Sequence, residues 1–176
     1  MPFDQALEKI KARYFGADDQ VQTDAEVDFL TPILYEVESV VEIGAGYGRT
    51  ANAILKANPK INYTIIDREP ALSVAKTWLS SQGWQHISFK DRHDNLNWPI
   101  SDLTIAISVL SELDETEAGE YMGLVKYGKY FYLKDVKEVH APREINMEKY
   151  NIPPQWKIIK QQNLPRGFVE ALYRIT

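Results

Sequence analysis

Apolar and polar positions change period several times along this chain, and each change predicts an element. Asp4 can cap a first helix that puts Ala6, Leu7, Ile10 and Tyr14 on one face. Phe15-Gly16-Ala17-Asp18-Asp19 breaks the pattern. Thr23 or Asp24 can cap a second helix running to about Val37, interrupted near Pro32. Ser39–Ile43 reads as a first strand. A helix over Arg49–Ala57 stops at Asn58-Pro59, and Ile61–Ile66 is a second strand. Pro70 suits the first turn of a helix that reaches Ser81, with Gly83 on its C-terminal side. His86–Lys90 predicts a third strand, followed by a polar loop through Pro99. Leu103–Leu110 is apolar enough for a central strand buried on both faces. A helix over Thr116–Val125 and a strand over Lys129–Leu133 follow. Asp135–Pro154 reads as a long polar loop of functional length. Trp156–Gln161 and Phe168–Ile175 close the chain as an antiparallel hairpin across Asn163-Leu164-Pro165-Arg166-Gly167.

Strands that alternate with helices imply an α/β fold with a parallel sheet covered on both faces. The predicted organisation is one domain over residues 1–176, with a helical N-terminal segment (1–37) and a long substrate-side loop (135–155).

The densest chemical information lies where the first strand ends. Val40-Val41-Glu42-Ile43 runs into Gly44-Ala45-Gly46-Tyr47-Gly48, and a helical pattern opens at Arg49. Glycines at alternate positions let a ligand lie against main chain that a Cβ would block. The new helix leaves backbone N–H groups unpaired at its N-terminus. Nineteen residues past Gly48 the second strand ends in Asp67, whose carboxylate can accept two hydrogen bonds from a ribose diol. A dinucleotide loop would read G-x-G-x-x-G. Here the third glycine comes one residue early, and Arg49 occupies the last glycine's place. That spacing weakens a nicotinamide-dependent oxidoreductase as a reading.

Bulk composition narrows the classes. With 44% hydrophobic and 26% charged residues the chain is ordinary globular protein. A net charge of −5 argues against a nucleic-acid partner, which needs a basic footprint. Without cysteine there is no disulfide framework and no thiolate zinc site. The N-terminus lacks a signal-peptide core, and no stretch approaches the roughly 18 apolar residues of a membrane span.

Glu42-Ile43-Gly44-Ala45-Gly46-Tyr47-Gly48 resembles the first motif, E/D-x-G-x-G-x-G, of class I S-adenosylmethionine (SAM) methyltransferases. EIGAGYGRTANAIL, YTIIDREPALSVAKTWL, SDLTIAISVLSELDETEAGEYMGLV and KYFYLKDV together resemble a bacterial family of sugar O-methyltransferases. That similarity covers roughly Val40 to Val136. It implies a Rossmann-like seven-stranded, mostly parallel sheet of order 3-2-1-4-5-7-6 with a C-terminal antiparallel hairpin. It also implies SAM as cofactor, S-adenosylhomocysteine as product and a cytoplasmic compartment. A small-molecule acceptor is expected, with no nucleic acid or membrane as partner, and a homodimer is compatible. Glu42, Gly44, Ala45, Gly46, Tyr47 and Gly48 are expected at the cofactor's amino-acid end. Asp67 with Arg68 is expected at the ribose, Asp91 at the adenine amino group, and Ser108 beside the cofactor. Tyr47 could pack on the cofactor or wall the acceptor pocket.

A hydroxyl acceptor needs a base to take its proton. Ligands gather at strand C-termini in such sheets, so the candidates follow the fourth and fifth strands. They are His140, whose ordinary pKa of about 6.5 suits the task, then Glu112 and Asp135. Glu112, Asp114 and Asp135 show no metal-specific spacing, so no metal is expected. Ser108-Val109-Leu110-Ser111 stands where adenine- and glutamine-amino methyltransferases carry Asn/Asp-Pro-Pro-Tyr/Phe. Two rivals remain: methylation of a small amine or carboxylate, and a SAM-fold binding or partner subunit without activity of its own.

Overall fold

The structure is a computed structural model that describes residues 4, 5, 8, 19–93, 98–137 and 150–176. The expected first helix over 4–14 lies largely outside the described residues. Seven strands form one sheet of order β3-β2-β1-β4-β5-β7-β6, the order the resemblance implies. The chain comprises two compact units, Met1–Asn97 and Trp98–Thr176.

In the first unit, helix α1 (Asp19–Leu34) leads into β1 (Ser39–Ile43), α2 (Arg49–Ala57), β2 (Asn62–Asp67), α3 (Ala71–Ser81) and β3 (Ser88–Asp91). β1 pairs with β2 and β2 with β3, both parallel, in a register that sets Asp67 opposite Asp91. The inner strands are buried almost throughout, as parallel strands covered on both faces must be. Phe29, Leu30 and Ile33 of α1 join Ile54 and Leu55 of α2 in the core of this unit.

Helix α1 differs from its prediction at both ends. It starts at Asp19, so Thr23 is inside the helix, with its hydroxyl donating back to the Asp19 carbonyl at 2.6 Å. Pro32 does not interrupt it; the helix runs on to Leu34. Proline removes one N–H and crowds the preceding turn. So close to the C-terminus that loss falls in the last turn, and the burial of Phe29, Leu30, Ile33 and Leu34 outweighs it.

In the second unit, β4 (Leu103–Ile107) leads to a 3₁₀ turn (Leu110–Glu112), α4 (Glu115–Val125), β5 (Tyr130–Val136), β6 (Lys157–Asn163) and β7 (Phe168–Arg174). β4 and β5 are parallel, and β5, β7 and β6 form antiparallel ladders. Phe131, Trp156 and Tyr173 cluster as an aromatic core. β4 stops earlier than expected because Ser108 adopts φ 51, outside strand geometry. α4 starts at Glu115, with Asp114 and Glu117 in a reciprocal capping box. β5 is longer than expected. Asp135 and Val136 belong to the strand, so the long loop starts after them. Residues 138–149 of that loop are outside the described residues.

Gly48 shows why the third glycine of the loop is there. Its φ is +89, and a Cβ would sit 2.6 Å from Leu79 Cδ1 on α3. Packing and backbone conformation both demand glycine, independently of any ligand. Gly48→Ala is expected to cost about 1–3 kcal/mol, lowering the melting temperature by about 2–4 °C per kcal/mol. Adding Leu79→Ala should relieve the collision without restoring the backbone term. Thermal melts of the two variants check this.

Candidate functional site

The glycine loop is tied down by a network that begins on α1. Arg49, the first residue of α2, donates from Nη1 to Glu26 Oε2 at 2.7 Å and from Nη2 to Oε1 at 3.0 Å. Nη1 also donates to the Thr23 hydroxyl at 2.8 Å. Both charged side chains are buried, Glu26 completely. This bidentate geometry is the strong form of the Arg–carboxylate contact. A second tie runs from the loop to the same helix. The Tyr47 hydroxyl donates to Asp19 Oδ2 at 2.9 Å, and its ring meets Trp78 edge-on at 4.9 Å. Tyr47 is thus buried, with its hydroxyl engaged by Asp19 and its ring by Trp78.

Gly44, Gly46 and Gly48 all take left-handed φ, of 68, 60 and 89. Gly44 and Gly46 keep solvent exposure, whereas Ala45, Tyr47 and Gly48 are buried. Solvent therefore reaches the loop at Gly44 and Gly46. The half-exposed Asp67 faces that surface: Gly46 N–H donates to its Oδ2 at 3.1 Å and Arg68 N–H to its Oδ1 at 2.8 Å. Each carboxylate oxygen can accept about two bonds. Arg68 itself is exposed. Asp91, in register with Asp67, also stays half-exposed; its Oδ1 accepts from His93 N–H at 2.8 Å and caps the following turn. His86 and His93 are exposed.

Glu42 is turned inward. It is 2% exposed, and its Oε2 accepts from the Tyr63 hydroxyl at 2.8 Å. Burial raises its pKa to about 8 from the ordinary 4.5, against the pull of the Tyr63 hydroxyl and the Arg49 charge. Burial, with Glu42 beside it, pushes the Tyr63 phenol well above its usual range.

In the second unit, Ser108 keeps partial exposure at the end of β4, its N–H donating to the Lys134 carbonyl at 2.8 Å. A non-glycine residue in left-handed conformation costs on the order of 1–2 kcal/mol. Such outliers gather at functional sites. Glu112 is exposed on the 3₁₀ turn. Asp135 is fully buried: its Oδ2 accepts from Ser111 N–H at 3.1 Å and its Oδ1 from Val136 N–H at 2.8 Å. Burial raises its pKa, and the Ser111 hydroxyl and nearby backbone N–H groups oppose that rise. In this arrangement it holds the turn that carries Glu112. His140 lies outside the described residues. Trp98 packs on Tyr121 of α4 with ring centroids 4.5 Å apart. Its buried indole N–H has no acceptor among the described residues. Among the described residues no three His, Asp or Glu side chains converge as metal ligands, and no helix is long and apolar enough to cross a membrane.

No family model and no curated protein matches this chain. Solved structures do. One is the methyltransferase domain of bacterial CtHen1-CN, with TM-score 0.66 and 15% identity over 88% of this chain and 98% of that one. The chain has the class I SAM-dependent methyltransferase fold. A SAM-dependent methyltransferase from Aquifex aeolicus matches with TM-score 0.61 and 15% identity over 79% of this chain and 82% of that one. The N,N-8-amino-8-demethyl-D-riboflavin dimethyltransferase RosA from Streptomyces davawensis matches with TM-score 0.67 and 15% identity over 89% of this chain. The chain spans only 54% of RosA. Arg49 is a tie to α1 that sequence spacing alone did not reveal.

Two outcomes follow from the buried charges. Removing one partner of a buried ion pair typically costs about 3–5 kcal/mol, so Glu26→Ala should destabilise the protein by that order in urea titrations. Glu42 is held above its unfolded pKa, so the folded state keeps a proton that the unfolded state has lost. Its stabilising contribution is complete below about pH 4.5 and fades as pH rises to about 8. Glu42→Gln should therefore flatten the decline of melting temperature between pH 5 and 8.

Proposed function

We propose that the protein is a SAM-dependent methyltransferase acting on a hydroxyl of a small molecule, a sugar or sugar nucleotide. The observation that carries the cofactor half is the surface made by Gly44, Gly46 and Asp67. Left-handed main chain without side chains lies beside a half-exposed carboxylate, the kind of acceptor a ribose diol needs. The donor set fits an S-adenosyl group: glycines clear the approach, and Asp67 recognises hydroxyls. Asp91 offers a second acceptor on the neighbouring strand end, for the adenine amino group. When bound, SAM would supply an electrophilic methyl on a sulfonium.

The chain's own residues do the rest. Much of such catalysis is placement of the nucleophile. Ser108, at the end of β4, offers its hydroxyl where the resemblance puts the cofactor. Glu112 is the described side chain best suited to take the acceptor's proton: it is exposed and stands on a turn fixed from below. Asp135 positions that turn, since its two oxygens are occupied and it has no exposed surface. The resemblance over Val40–Val136 supports the sugar hydroxyl as acceptor. His140 is a second candidate for the base.

S-adenosylhomocysteine should bind with micromolar affinity, equivalent to roughly −8 kcal/mol, and Asp67→Ala should weaken it by tenfold or more in calorimetry. Equal affinity for wild type and variant removes Asp67 from the ribose. Glu112→Gln should keep that affinity while slowing methyl transfer to a panel of nucleotide sugars. Undiminished turnover would rule Glu112 out.

A further inference from the structure

We infer that binding of SAM at the glycine loop drives a proton from Glu42 into solvent, so that cofactor affinity is coupled to pH through a carboxyl that does not touch the ligand. The inference rests on the cofactor reading above. It follows from an imbalance of buried charge. Glu26 and Glu42 both sit within the field of Arg49, the guanidinium at the start of α2. Glu26 takes Arg49 by two hydrogen bonds, and Thr23 takes a further share of Nη1. Glu42 is left with the neutral Tyr63 hydroxyl at 2.8 Å. Glu42 thus has a neutral partner where Glu26 has a cation, and a buried carboxylate without a charged hydrogen-bond partner is driven toward its protonated form.

The groups that act on Glu42 come from each neighbouring element: Tyr63 and Asp67 of β2, Arg49 of α2 and Glu26 of α1. Asp67 is the informative one. Its negative charge already bears on Glu42 and raises its pKa, which stands at about 8. A cation seated against Asp67 and the glycine loop acts on Glu42 with the opposite sign. SAM carries one net positive charge. Its arrival screens Asp67 and adds positive charge beside the loop. Glu42 then goes from carboxylic acid to carboxylate, the proton passes to buffer, and the buried charge balances.

The test is calorimetry of SAM binding near pH 7 in buffers of differing ionisation enthalpy, which counts protons exchanged. Wild type is expected to release a substantial fraction of one proton. Glu42→Gln, which mimics the protonated acid, should bind SAM and lose that release. Across pH 6 to 8 the wild-type dissociation constant should fall by up to about tenfold per unit and then level. The ligand's own amino group titrates at about 7.7–8.0, so the wild-type-minus-variant difference carries the result. Binding without proton release, or equal release from both proteins, overturns the inference and leaves the cofactor reading intact. Should Glu42→Gln fail to fold, the wild-type profile decides alone: a dissociation constant flat from pH 6 to 8 overturns it. No binding of SAM at all overturns the cofactor reading, and this inference with it.

Discussion

The Glu26–Arg49 pair is the constraint on which the candidate cofactor site depends. An arginine as the first residue of a helix has the wrong sign for that position, because the N-terminus of the macrodipole is already positive. Buried, it would also carry the desolvation cost of an isolated charge. Glu26 answers both problems, bringing a carboxylate to the start of α2 and matching both guanidinium nitrogens. Because Arg49 directly follows Gly48, fixing Arg49 fixes where the glycine loop ends. The Tyr47–Asp19 bond fixes the residue on the other side of Gly48 to the same helix. Between them, Leu79 occupies the space where a Gly48 side chain would be. The loop's second half is therefore tied down and buried, and its first half, at Gly44 and Gly46, keeps solvent exposure.

The same pair determines the state of Glu42. A guanidinium engaged by one carboxylate has little left for another, and Glu42 lies behind the loop with a phenol for company. Packing thus becomes electrostatics. The tie that makes the loop rigid leaves an acid beneath it poised to respond to charge. A loop anchored instead by apolar packing would leave Arg49 free to neutralise Glu42, and the coupling between cofactor charge and proton would vanish.

Much of this was legible in the chain because it is written in backbone terms. Alternate glycines after an apolar run, an acid at the next strand's end and a terminal pair of short apolar runs constrain main-chain path, which local sequence encodes. What stayed hidden depends on partners far along the chain. Arg49 reads locally as the residue that opens a helix, and nothing within a turn of it points to Glu26. Tyr47 reads as a residue in a ligand loop, yet its direction is set by Trp78 and Asp19. Asp135 reads as loop because aspartate is depleted in strands. It is a strand residue because backbone N–H groups of the Leu110–Glu112 turn and of Val136 satisfy its carboxylate. Pro32 reads as a break, and burial of its neighbours overrides it.

Each unit divides its acids in the same way. In the first, Glu26 is fully enclosed and holds the helix that follows the glycine loop, while Asp67 keeps an exposed edge. In the second, Asp135 is fully enclosed and holds the turn after β4, while Glu112 stays in solvent. The division has a physical reason. A three-residue 3₁₀ turn makes too few internal hydrogen bonds to define its own geometry, and a glycine loop has no side chains to pack. Both need an outside acceptor of several hydrogen bonds, and a carboxylate is the side chain with the most acceptor capacity. Such an enclosed acid is committed to holding the fold. The second acid of each unit keeps contact with solvent. For Glu112 this is the condition a proton acceptor requires: a fixed base of attachment and an unoccupied carboxylate facing water.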